Sequence, residues 1–163
     1  MNNLFNEQLF KKYLDDIEIT EEQQDFLSLW NQKLGNGELI PETPNYHHFE
    51  NIFLNNLLGY DSITDILTDD KEISGSGKSE FKLKRNDEVF MIIELKGSNV
   101  NLDKTRNDKN ETPVDQVFRY AKKNEAVPWL LVSNYDEFWL YNDHKGDGKY
   151  ISWTVSELVT NEE

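Results

Sequence analysis

The sequence predicts an α/β domain, a mixed β-sheet with helices packed on it. Three observations carry this. Apolar residues recur at helical spacing as far as about residue 58. The period changes to two at Glu80 and leads into a nearly continuous apolar run from Val89 to Leu95. A further helical stretch and more strand-like runs follow, so the order is helices, hairpin, helix, strands.

Leu4, Phe5, Leu9, Phe10, Tyr13 and Leu14 form one stripe of an amphipathic helix over residues 3–16. Thr20 suits an N-cap, and Gln23 completes a capping box for a second helix carrying Phe26, Leu27, Trp30 and Leu34. Gly35 and Gly37 stop it. A loop punctuated by Pro41 and Pro44 precedes a third helix with Phe49, Ile52, Phe53, Leu57 and Leu58, ending at Gly59. Residues 61–78 read as a short apolar segment and then a solvated loop.

In the next strand Phe81 and Leu83 alternate with Lys82 and Lys84, the pattern of a half-exposed strand. Asn86-Asp87 suits a tight turn into the apolar strand ending Glu94-Leu95-Lys96-Gly97. Residues 98–111 form a polar loop, and Thr112 or Pro113 opens a helix to about Asn124. Strands over Trp129 to Ser133 and Glu137 to Tyr141, a turn-rich Asp143 to Gly148, a last strand and a short polar tail complete the reading. No repeat or linker divides the chain, so a single domain over residues 1–163 is expected, with a helical part over 1–60.

Composition narrows the function classes. A content of 12% aromatic residues argues for a packed core, and the absence of cysteine excludes disulfides and thiolate metal sites. It also fits a reducing cytoplasm. No apolar run of membrane-spanning length and no signal peptide is legible. The net charge of -14 argues against an autonomous nucleic-acid binder, because phosphate repels an acidic surface. An acidic mimic of DNA is the sharp form of that objection.

Candidate chemistry gathers at one end of the hairpin. Glu94 and Lys96 stand two apart on a strand and so share a face. Charged residues are rarely buried unless paired or functional. A turn at Asn86-Asp87 sets Glu80 opposite the Glu94 region. Two carboxylates and a lysine then converge, a set whose oxygens suit Mg²⁺ and whose ammonium can orient a water or offset negative charge. Gln116 and Tyr120 are four apart and share a helix face.

The run Ser79-Glu80-Phe81 followed by Ile93-Glu94-Leu95-Lys96 resembles the PD-(D/E)XK nuclease superfamily, with Ser79 where proline is commonest. Gln116 to Tyr120 matches a Q-x-x-x-Y element of several of its branches. Thr112-Pro113-Val114-Asp115-Gln116, Pro128-Trp129, Val132-Ser133-Asn134-Tyr135 and Phe138-Trp139-Leu140-Tyr141 together resemble the N-terminal nuclease domain of type IIG restriction-modification enzymes. So do Pro41-Glu42-Thr43, Phe49, Phe53 and Leu58-Gly59-Tyr60 upstream, and the likeness spans roughly residues 38–142.

That resemblance implies a restriction-endonuclease-like sheet flanked by helices, with a catalytic core over residues 79–142. It implies a Mg²⁺-dependent type II deoxyribonuclease in which Mn²⁺ can substitute. Glu80 and Glu94 would hold the metal, Lys96 would assist the nucleophilic water, and Gln116 and Tyr120 would support the site or touch the DNA backbone. An early-helix acid would join them, Glu42 first and Glu50 second. It also implies double-stranded DNA as substrate and a parent chain whose methyltransferase and target-recognition regions supply most DNA affinity. A transient dimer for double-strand cleavage would fit the same picture, and no membrane partner is expected. Lys78, Lys82, Lys84 and Arg85 form a short basic stretch able to approach phosphates.

Other signals fail on their own chemistry. Gly75-Ser76-Gly77-Lys78-Ser79 lacks the upstream glycine of a phosphate loop, since Glu72 stands there, and a strand pattern follows. Asp143 to Gly148 has Lys145 at a calcium-ligand position. His47 and His48 should diverge on a helix, and with His144 they make no metal spacing. A non-catalytic nuclease-like docking module stands as the alternative function, and the acidic DNA mimic ranks behind it.

Overall fold

A computed structural model describes residues 4–5, 17–68, 81–105, 110–123 and 127–160. Helix α1 spans Glu21–Gly35 and begins at the expected capping box: Gln23 N donates to Thr20 Oγ1 at 3.2 Å, and Thr20 N donates to Gln23 Oε1 at 3.0 Å. A 3-10 turn, Thr43–Asn45, leads into α2, Tyr46–Phe49, which widens into π-type turns over Glu50–Leu57. Helix α3 is Pro113–Lys123 and α4 is Val155–Thr160. The helix expected over residues 3–16 falls mostly outside the described residues. Of its stripe, Leu4 is buried and Phe5 stacks on Trp129 at 5.6 Å.

Six strands lie in chain order across one sheet. They are β1 Ile66–Leu67, β2 Phe81–Arg85, β3 Glu88–Leu95, β4 Trp129–Ser133, β5 Glu137–Asn142 and β6 Tyr150–Thr154. Neighbours are antiparallel except β3 and β4, which are parallel with Glu94 beside Val132. A parallel pair needs a crossover, and α3 provides it. The β2–β3 turn is the predicted one, with Asn86 and Asp87 at φ 52° and 63°, the left-handed pair that a two-residue hairpin requires. This is the mixed α/β architecture of a restriction-endonuclease-like fold.

The sheet separates two apolar layers. Ile93 and Leu95 of β3 face α1 and α2, where Trp30 packs edge-on to Phe53 with centroids 4.8 Å apart. Ile92, Leu130, Val132 and Tyr141 face the other way, together with Val117, Tyr120 and Ala121 of α3. Strand alternation therefore puts Glu94 on the α3 side, in line with Ile92. No helix among the described residues is long and apolar enough to cross a membrane.

Three expectations need correction. The short apolar segment after Asp61 contains an edge strand, β1, paired with β2 through Ile66 and Leu83. The loop after β3 is not polar throughout, because Leu102 is buried against the α3 layer. The tail expected to be polar begins as α4: Thr154 and Glu157 form a further capping box, and Val155 is fully buried.

Candidate active site

Lys96 is the meeting point. Strand β3 ends at Leu95, and the pairing runs one step further, with Lys96 N donating to Ser133 O at 2.8 Å. The Lys96 ammonium bonds Glu94 Oε1 and turns back to Leu95 O at 3.0 Å. It lies 3.7 Å from Glu42 Oε1. Glu94 is 0% exposed and Lys96 3%. Such burial is costly unless the charges are paired, and here the Lys96 ammonium pairs with Glu94 and has Glu42 close by.

The sequence left two early acids open, and the structure brings Glu42 to Lys96. Its carboxylate also accepts from Tyr46 OH at 3.0 Å. Glu50 starts the widened part of α2, and among the described residues its carboxylate makes no ion pair with Lys96. Glu80 lies outside the described residues, as do Lys78 and Ser79. Among the described residues no three His, Asp or Glu side chains cluster as a metal site would need.

Gln116 and Tyr120 meet as their spacing requires, Gln116 Nε2 donating to Tyr120 OH at 2.6 Å. Burial, and then the Glu94 charge, push the Tyr120 phenol above its usual 10.0. Arg119 lies over the Tyr120 ring at 4.7 Å and forks onto Glu111 at 2.7 and 3.1 Å. Because the folded pKa of Tyr120 is raised, its contribution to stability is intact below the unfolded value of about 10 and is lost as pH climbs through the folded value. In an alkaline absorbance titration, assigned with Tyr120→Phe, Glu94→Gln is expected to lower the Tyr120 midpoint. An unmoved midpoint would show that the carboxylate and phenol do not interact.

The basic stretch is partly engaged in the fold. Lys84 is 3.7 Å from Asp87, and Arg85 lies 6.0 Å over the Phe90 ring. His47 and His48 do not diverge as expected, since their ring centroids lie 3.9 Å apart with the planes tilted by 39°. Burial, and then His47, hold the His48 imidazole below its usual value.

Sequence reasoning missed the residues that deliver Glu42. Asn45, buried, donates through Nδ2 to Pro41 O at 2.6 Å and to Glu38 O at 3.1 Å, closing the loop that carries Glu42. Gly97 lets that loop lie against the end of β3: a Cβ there would sit 2.0 Å from Ile40 O. Ser98 N donates to Leu39 O at 3.0 Å beside it. A glycine placed directly after Glu94-Leu95-Lys96 was the one legible sign of this close approach.

No curated protein and no solved structure matches the chain. A family model, described as the N-terminal domain of MmeI, matches residues 11–163. That span takes in the loop of Glu42, the hairpin, α3 and the last strands. The chain thus belongs to the MmeI N-terminal domain family, the N-terminal part of a type IIG restriction enzyme.

Proposed function

We propose that this domain is the metal-dependent DNA-cleaving module of its restriction-modification enzyme, hydrolysing phosphodiester bonds at the Glu94–Lys96–Glu42 cluster. The observation that supports it most is the buried Lys96 ammonium shared by Glu94 and Glu42. A merely structural ion pair needs no second carboxylate delivered from a separate loop.

The donor set suits a hard cation such as Mg²⁺ or Mn²⁺, since both acids offer carboxylate oxygens. Glu94 and Glu42 would hold it, with Glu80 as the further acid. When bound, the cation supplies Lewis-acid polarisation of the phosphodiester and lowers the pKa of a water. Lys96 contributes a fixed positive charge that orients the attacking water and offsets the charge gathering on the phosphoryl oxygens. Gln116 holds the Tyr120 hydroxyl, so two polar groups of α3 keep a set orientation beside Glu94. Double-stranded DNA is the substrate. The acidic surface is consistent with DNA affinity residing in the methyltransferase and target-recognition regions of the parent chain, and a double-strand cut would call for two copies.

The test is nicking of supercoiled plasmid at low salt, with and without Mg²⁺. Wild type should nick only with the metal, and folded Lys96→Ala should lose at least about 100-fold in rate, the scale of a lost electrostatic contact. Nicking by Lys96→Ala at the wild-type rate would refute the assignment. No nicking by the wild-type domain even within its parent enzyme would favour a docking module.

A further inference from the structure

We infer that Tyr135 is a positioning residue whose hydroxyl holds the main chain of Glu42 so that the Glu42 carboxylate faces Lys96. The inference deepens the nuclease reading and rests on it.

Glu42 belongs to no strand or helix of the sheet region, so something must fix it. Its main-chain carbonyl accepts from Tyr135 OH at 2.7 Å, across 93 residues of sequence. Tyr135 sits between β4 and β5, two residues past Ser133, whose carbonyl receives Lys96 N. The end of β4 and the turn that follows it therefore anchor the lysine's backbone and the acid's backbone.

The turn is built to aim this ring. Tyr135 has φ 71°, a conformation that costs a non-glycine residue free energy and persists only where its surroundings enforce it. The enforcement is visible. Tyr135 N donates to Ser133 Oγ at 3.0 Å, and Asn134 Oδ1 accepts from Asp136 N and Glu137 N at 3.2 and 2.7 Å. Trp30 Nε1 donates to Tyr135 O at 2.8 Å. The ring packs against Trp30 and Phe49 at 5.8 and 6.2 Å, and Tyr135 is fully buried. Packing alone would accept phenylalanine here. The hydroxyl adds a bond to the main chain of the residue whose carboxylate completes the cluster.

The test is Tyr135→Phe, which keeps the ring and removes the bond. Mn²⁺ binding to the folded protein is measured by the spin-resonance signal of free Mn²⁺, using MnCl₂ alone. The inference expects about tenfold weaker Mn²⁺ binding, as for loss of a group that orients a metal ligand. The Mg²⁺ concentration giving half-maximal nicking should rise to match, while the rate at saturating metal changes less. Trp30→Phe removes a bond to the same residue and should lower the melting temperature without weakening Mn²⁺ binding. Equal Mn²⁺ affinity in Tyr135→Phe and a metal-binding wild type overturns the inference alone. A wild type that binds no Mn²⁺ overturns the metal reading and this inference with it.

Discussion

Lys96→Met is expected to lower the unfolding free energy by about 3–5 kcal/mol, the usual penalty for removing one partner of a buried ion pair. Glu94 is fully buried on the α3 face of β3, between Ile92 and the end of the strand. Its carboxylate cannot trade the ammonium for bulk water without opening that layer. Glu42 is different, because its side chain is 26% exposed and 3.7 Å from the ammonium. Glu42→Gln should therefore cost less than about 1 kcal/mol, as for a solvated pair. Urea denaturation of the two single variants checks the contrast. A second measurement ties the cost to the pair itself: Glu94→Gln combined with Lys96→Met should be more stable than the sum of the two single losses predicts, by about 0.5–3 kcal/mol. Additive losses, or a cost for Lys96→Met below about 1 kcal/mol, would mean that both groups reach water. Activity comparisons should accordingly be made well below the midpoint of Lys96→Met, so that a lost cut is not a lost fold.

What could be read in advance was local. Thr20 with Gln23, the Asn86-Asp87 turn, and the switch from period 3.6 to period two are set by neighbours within a few residues, and the structure reproduces them. Strand β1 escaped because two residues carry no period, and only the partner strand makes Ile66–Leu67 a strand. Helix α4 escaped although Thr154 and Glu157 stand at capping-box spacing, because its six residues offer less than two turns of apolar pattern. The candidate site divides the same way. Glu94 and Lys96 share a face by strand geometry, and Gln116 meets Tyr120 by helix geometry. The convergence of Glu42 on Lys96 depends on contacts between residues far apart in sequence, such as Tyr135 with Glu42 and Gly97 with Ile40. No window of sequence contains both members of such a pair.

Gly97→Ala should damage the protein more than a one-carbon change ordinarily does. Gly97 has no positive φ to require glycine, so the argument is one of space alone. An added Cβ would stand 2.0 Å from Ile40 O and 3.1 Å from Ile40 C, and both are backbone atoms that no rotamer change can move. Either the end of β3 or the loop carrying Leu39 to Glu42 must retreat. The loop is the softer of the two, because β3 is paired on both sides in the sheet. Its retreat would break the Ser98 N to Leu39 O bond and draw Glu42 away from Lys96. The expected loss is about 1–3 kcal/mol in stability, the range for overpacking a filled interior. A loss of Mn²⁺ affinity at least as large as that of Tyr135→Phe should accompany it. Gly35→Ala is the internal reference, since nothing lies within 4 Å of a Cβ there and the residue ends α1. That change should leave stability level or raise it by up to about 1 kcal/mol by restricting the unfolded chain. Opposite signs for the two substitutions, read from the same denaturation series, would place the cost of Gly97→Ala in the contact with Ile40. Like signs and sizes would remove Gly97 from the account of how Glu42 is held.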